Sequence, residues 1–334
     1  MRRRLPLALL LCCGAGHAAD TCSATLSDVS FGPLSPITAS DVTITASGSV
    51  SCTWGLLSPL PPYILLFPKV VVCLNAGLGS NSLTANPRTL GNGANRMEYN
   101  LYRDASYAAA SIWGGPGVSG ATTPISFSMT APNLVTGGTL AQPFTVYGKI
   151  AAGTALAAVK TVANADTVYT SSFSGAATLT YAFYNLVQPA CTPGGSASFS
   201  FTAQATAVND CTISATAMNF GTQSILSGAV RSTSTLSVRC VNDNAYQIAL
   251  NGGSVAANVA GRQMKRAGSS DKVAYRLSAA LDGALWGDGT AATTLYSGTG
   301  NGAAQVLTVY GMVPAQAAPR PGDYQDTVTA TVYF

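Results

Sequence analysis

The sequence predicts an all-β protein built from two tandem antiparallel β-sandwich units. Three observations carry this. The same motifs recur in the same order in both halves. Short alternating segments rich in Thr, Val, Ser and Tyr are separated by Gly, Asn and Pro. The cysteines become even in number and repeat in spacing once an export leader is set aside.

The leader comes first. Arg2, Arg3 and Arg4 precede an apolar run from Leu5 to Cys13, and small residues follow. This is the pattern of a secretory signal peptide over 1–18, with cleavage after Ala18 or, alternatively, Ala19. The "LLLCC" run lacks the small residue expected before a lipidated cysteine, so no lipid anchor is expected. No later segment offers about 18 uninterrupted apolar residues, and a soluble mature chain is expected.

Removing the leader changes the inventory. Of the 17 basic side chains three lie in it, so 14 face 13 acidic ones in the remainder. A near-neutral balance argues against nucleic acid as partner. The single histidine, His17, also lies in the leader, so the mature chain has no Ser-His or Cys-His pair and no histidine metal site. No enzyme activity, cofactor or metal is expected.

The duplication organises the rest. Cys22 is followed nine residues later by Phe31-Gly32 and then by Cys52; Cys211 is followed nine residues later by Phe220-Gly221 and then by Cys240. "LNAG" at 74–77 answers "LNGG" at 250–253, "YNLYRDASYAAASIWGG" answers "YRLSAALDGALWGDG", and "FTVYGKI" answers "LTVYGMV". Two homologous domains follow, at 19–185 and 196–334 with a linker at 186–195. The repeat suggests equivalent disulfides Cys22–Cys52 and Cys211–Cys240, and Cys73 and Cys191 pair by elimination. Closing each loop of about 30 residues is worth about 3–4 kcal/mol in the chain-entropy account.

The order Cys, Phe-Gly, Cys, "LNxG", Arg, Tyr-x-Leu, Trp-Gly, "VYG" and a closing "PGDYQDTVTATVYF" resembles the spore coat protein U domain. A secreted chain with two such domains is similar to the tip adhesins of archaic, Csu-type chaperone–usher pili. That resemblance implies two tandem immunoglobulin-like β-sandwich domains, the C-terminal one incomplete and accepting a donor strand. It implies a periplasmic pilus chaperone, an outer-membrane usher and the next pilin subunit as partners, a place at the pilus tip on the cell surface, and attachment to an abiotic or host surface in biofilm formation. The terminal "DTVTATVYF" agrees with an unfinished domain. The mature chain starts at most three residues before Cys22, so it is expected to accept a donor strand and to donate none. In "GGSASFSFTAQATAVNDC", Phe199, Phe201, Ala203, Ala205 and Ala207 alternate with polar residues. The segment 197–207 has the look of a donor strand and is expected to complete the first domain in cis; a first strand of the second domain, or linker, is the alternative.

The halves differ by three insertions in the first, of twelve, ten and thirteen residues. Long loops on a rigid sandwich are where binding commonly resides. The first insertion contains "WGLLSPLPPYILLFP" at 54–68, where nine residues are large and apolar, four are proline and none is charged. Its expected surface-binding residues are Trp54, Leu56, Leu57, Leu60, Tyr63 and Ile64. The second, within 129–143, offers Leu134 and Val135; the third, within 151–172, offers Leu156 and Val159. The resembling adhesins imply that such loops act as hydrophobic fingers. Trp113 and Trp286 recur at equivalent places and are expected to be packing residues. A lectin-like adhesin and a structural coat or fibre subunit are the competing readings. The first would require a polar pocket with carboxylates, and the second a donor segment at its own N-terminus.

Overall fold

Period-two alternation becomes strand throughout, because alternate side chains of an extended chain face opposite sides of a sheet. The computed structural model describes residues 20–55, 67–190 and 194–334. The first half forms β1 (Thr21–Leu26), β2 (Val29–Leu34), β3 (Val42–Trp54), β4 (Lys69–Ala76), β5 (Arg88–Asn92), β6 (Asn95–Tyr102), β7 (Ile125–Thr130) and β8 (Gly138–Ile150). A single helical turn α1 (Thr154–Ala157) then precedes β9 (Thr167–Ser172), β10 (Ala177–Tyr184), β11 (Gly195–Phe199) and β12 (Thr202–Ala207). The second half contains β13 (Cys211–Ala215), β14 (Val230–Cys240), β15 (Ala245–Leu250), β16 (Gln263–Arg266), β17 (Lys272–Ala274), β18 (Arg276–Ser278), β19 (Tyr296–Thr299), β20 (Gln305–Val313), β21 (Tyr324–Gln325) and β22 (Ala330–Tyr333).

In the first unit an eight-stranded sheet, β1-β3-β8-β6-β5-β9-β12-β2, packs on a four-stranded one, β11-β10-β4-β7. β12 lies between β9, which it meets antiparallel, and β2, which it meets parallel, while β11 adds to the free edge of β10. Phe199, Phe201, Ala203, Ala205 and Ala207 are all buried in the first unit's core, and the Phe201 ring stacks on Phe173 at 4.3 Å. The segment 197–207 therefore completes the first sandwich in cis, as its alternation suggests. The sequence division at 196 falls inside these strands, so β11 and β12 belong by hydrogen bonding to the unit before them.

The second unit repeats the plan with less. It has β13-β14-β20-β18, β19-β15-β22 and β17-β16-β21. Cys22 pairs directly opposite Cys52, and Cys211 opposite Cys240, and both pairs are disulfide-bonded. Cys73 is also in a disulfide; Cys191, its expected partner, lies outside the described residues. Trp113 and Trp286 are packing residues, each fully buried, with the indole N–H donating at 2.8 Å to Leu74 and Ile248 carbonyls respectively.

These bonds also correct the sequence alignment. "LNAG" and "LNGG" are not superposed. Leu74 matches Ile248, and Ala76 matches Leu250, two residues off the motif. The shared contact is to main-chain carbonyls, which leaves the side chains of those positions free to differ.

The units meet through the third insertion. Lys160 pairs with Asp243 at 2.9 Å, Asn242 Nδ2 donates to the Ala158 carbonyl at 2.9 Å, and Ser35 Oγ donates to Asp210 at 2.6 Å. These contacts lie at the Ile150 end of β8, opposite its Gly138 start.

Candidate functional site

Register brings several strand ends together at the end of the first unit away from the second. Trp54, ending β3, pairs with Gly138, beginning β8. Lys69, beginning β4, pairs with Thr130 on one side and Tyr184 on the other. Gly55 after β3, Phe67 and Pro68 before β4, the turn 131–137 and the residues after Tyr184 thus lie at the same end of the sandwich. Strand spacing of about 4.8 Å puts the last two within about 10 Å of each other across β4.

Local bonds hold these loops. Asn133 Oδ1 accepts the N–H groups of Val135 and Thr136 at 2.9 and 3.0 Å, a side-chain-capped turn. The Ala131 N–H donates to the Pro68 carbonyl at 2.8 Å, and Gln188 Oε1 accepts from Ser128 Oγ at 3.0 Å. Gly137 has φ +68°, and a Cβ there would lie 2.2 Å from the Trp54 carbonyl, so only glycine allows this approach. The result is an end with several exposed apolar side chains, Phe67 at 49%, Val135 54%, Leu186 66% and Val187 82%, beside the charged Lys69 and Asp20.

The expected finger residues separate into groups. Val135 is exposed and Leu134 half-buried at the second loop. Leu56, Leu57, Leu60, Tyr63 and Ile64 lie outside the described residues. Trp54 is corrected: it is 1% exposed, and its ring meets Phe183 edge-on at 5.8 Å, because its position on β3 faces the core. Leu156 and Val159 are corrected as well. Each is 2% exposed and belongs to the first unit's core, because the third insertion folds back as α1 onto that unit's own strands.

A second feature is an edge left open. In the first unit β11 covers β10, and β12 fills the space between β9 and β2. In the second unit β22 takes the place of β10 and β21 that of β9. Among the described residues nothing pairs with β22 except β15, or with β21 except β16. Phe31 and Phe220 occupy the same position, each with its ring over a glycine, Gly148 or Gly311. Phe31 is buried and lies on β2, whereas Phe220 is half-buried and lies on no strand. Ala177 and Leu179 are fully buried, whereas their counterparts Ala330 and Val332 are half-buried. Among the described residues the second unit has no strand in the places of β2, β11 and β12.

The perturbed ionisable groups serve structure. Burial pushes the Tyr99 phenol up to about 12 and the adjacent Arg88 guanidinium down to about 10. Among the described residues no group of His, Cys, Asp and Glu could hold a metal, and no helix is long and apolar enough to cross a membrane.

The Spore Coat Protein U domain matches residues 12–171 and again 197–331. The chain belongs to the Spore Coat Protein U domain family. No curated protein matches it significantly. Among solved structures it is similar to the chaperone–tip adhesin pre-assembly complex of the archaic chaperone–usher Csu pili of Acinetobacter baumannii. That likeness has 15% identity and TM-score 0.50 over 94% of this chain and 100% of the other, and shows a shared fold. A chaperone–tip adhesin complex of CFA/I fimbriae is more distant, at 10% identity and TM-score 0.30 over 95% and 98% of the two chains.

Within this pair of Spore Coat Protein U copies, sequence reasoning passed over Phe67, Leu186 and Val187. The signal was present in "YNLVQPAC", an uncharged apolar pair before proline. It went unread because the comparison of halves ended at Tyr184, where the second copy has no counterpart to set beside it.

Proposed function

We propose that the chain is a pilus tip adhesin. The apolar end of the first unit attaches cells to an abiotic or host surface in biofilm formation. The second unit joins the fibre by accepting a donor strand, first from a periplasmic chaperone at the outer-membrane usher and then from the next pilin subunit. The observation carrying this reading is the contrast between two copies of one domain: the first is filled by its own β11–β12 and the second has an unfilled edge. Strand addition satisfies such an edge with main-chain hydrogen bonds and fills the gap with alternate side chains. The free apolar loops and the junction with the second unit lie at opposite ends of β8, so anchorage leaves the loops accessible. Burial of about 150–200 Å² by one loop gains about 4–5 kcal/mol before costs, and many fibres per cell supply avidity.

Two experiments test the two halves of the reading. A copy of residues 194–207 appended after Phe334 through a flexible linker is expected to raise the melting temperature of the second unit and to protect the amides of 324–333 from exchange. An unchanged melting temperature and unchanged exchange would remove donor-strand acceptance. Separately, Val135→Ser/Leu186→Ser/Val187→Ser and Leu56→Ser/Leu57→Ser/Leu60→Ser are expected to reduce binding to polystyrene with folding unchanged. Wild-type binding by both folded variants would reject the apolar end as the attachment surface.

A further inference from the structure

The second unit contains a cavity of about 410 Å³ on the outer face of its β14-β20-β18 sheet. Its floor is one cross-strand row. Arg231 pairs with Met312, and Met312 with Arg276. Tyr310 lies in the next row on the same face, opposite Ser278. The loop after β18 forms the wall, contributing Leu281 and Asp282.

The duplication supplies an internal comparison. In the first unit the matching row is Thr43, Lys149 and Asn100, and the next row carries Tyr147 and Tyr102. The loop after β6 folds over it in the same way: the bridge Tyr102–Ile112 corresponds to Ser278–Leu285. Both loops place one residue in the left-handed region, Tyr107 at φ 52° and Asp282 at φ 53°. In the first unit that residue is an aromatic plug. The Tyr107 ring packs edge-on against Tyr102 at 5.3 Å and Tyr147 at 6.3 Å, with Lys149 Nζ 5.9 Å from its centroid. In the second unit serine replaces Tyr102 and aspartate replaces Tyr107, so two aromatic rings are absent and the volume is left empty.

The chemistry of the empty version is specific. Asp282 takes both hydrogen bonds from Arg231, at 2.9 and 3.0 Å, and so fixes the loop over the sheet. Arg276 is exposed and enters no ion pair among the described residues, so the cavity carries one uncompensated guanidinium. Beside Ser278 and the small residues of the loop, the lining contributes the apolar or aromatic side chains of Leu281, Met312 and Tyr310. A planar guanidinium pairs with a carboxylate through two parallel bonds. Methionine sulfur and a tyrosine ring favour an aromatic body. The volume is within the range of small-molecule sites, about 300–1,000 Å³.

We propose that this cavity binds a small aromatic carboxylate, its acid group on Arg276 and its ring against Met312, Tyr310 and Leu281. The site is independent of the apolar end and of the open strand edge.

Cinnamate is the probe and neutral cinnamamide its control, titrated into the full chain by ligand-observed NMR and calorimetry. Cinnamate is expected to bind and cinnamamide to bind at least about tenfold more weakly, the scale of a lost charge-assisted bond. Arg276→Ala, a change at an exposed side chain, is expected to weaken cinnamate by a similar factor. Ser278→Tyr, which restores the first unit's filling, is expected to abolish binding. Absence of cinnamate binding at millimolar concentration overturns the proposal, as does binding indifferent to Arg276→Ala. Capture of an acidic peptide by the same arginine without cinnamate binding also overturns it, and makes the cavity a contact for a protein side chain.

Discussion

Arg88 and Arg262 are the same residue twice. Each buried guanidinium caps the end of the central strand of its unit, with Arg88 Nη2 donating to the Ala76 carbonyl at 3.1 Å and Arg262 Nη2 to the Leu250 carbonyl at 2.8 Å. Arg88 also bonds the Gly77 and Trp113 carbonyls at 2.9 and 2.7 Å. The Ala76 and Gly77 carbonyls lie where the chain leaves β4, and the Trp113 carbonyl lies in the connection between β6 and β7. Arg88→Met would leave them buried and unsatisfied, at about 1–3 kcal/mol each before relaxation. The expected outcome is a loss of several kcal/mol in chemical denaturation of the first unit. Arg262→Met is expected to act likewise on the second.

Leu156 and Val135 test the corrected assignment of the insertions. Leu156→Ala removes a buried side chain and is expected to cost about 2–4 kcal/mol, with binding per folded molecule unchanged. Val135→Ser changes an exposed turn residue and is expected to alter stability by under about 0.5 kcal/mol while lowering surface binding. Denaturation curves paired with a plastic-binding assay check both; the reverse pattern would return the third insertion to the surface.

Gly302 governs the junction. It has φ +74°, and a Cβ there would lie 2.0 Å from the Ala157 carbonyl of the other unit. Gly302→Ala is expected to push the strap 151–165 off the second unit. Small-angle scattering should then show a looser pair, and protease should cut within the strap. Lys160→Ala at the same junction removes an exposed ion pair worth about 0–1 kcal/mol and is expected to leave the scattering unchanged.

Stability should be flat near neutrality and fall at both extremes. The only histidine is His17, so no imidazole titrates among the described residues. Asp41, Asp271 and Asp288 are held below the ordinary value of 3.8, mainly by side-chain hydrogen bonds from Lys149, Ser269 and Thr290 respectively. A lowered carboxylate contributes stability present above 3.8 and lost as pH falls through its folded value. At the other extreme burial holds Tyr99, near 12, and Tyr275 in the phenol form, so stability is lost as pH rises above 10. Arg88, pushed down to about 10, offsets part of this. Tyrosinate absorbance is expected to show these two rings ionising last; ionisation with the exposed tyrosines would contradict their burial.

The sequence by itself determined the class, the duplication, two disulfides and the packing role of Trp113 and Trp286. Those features are written locally: alternation sets strands, and repeated spacing of Cys22, Phe31 and Cys52 against Cys211, Phe220 and Cys240 reveals two copies of one unit. The alternation of 197–207 was equally legible, since a strand that fills a core must alternate whichever unit it enters. That it enters the first was expected from its donor-like look, and its pairing with β2 and β9 decided this against the alternatives. Exposure was beyond local reading. Leu156 and Val135 are both apolar residues in inserted loops, yet Leu156 folds back into the first unit's own core while Val135 is left exposed at the tip of its turn. Burial depends on what lies opposite a side chain, and for Leu156, Trp54, Leu186 and the empty place beside Arg276 that is set by chain far away in sequence.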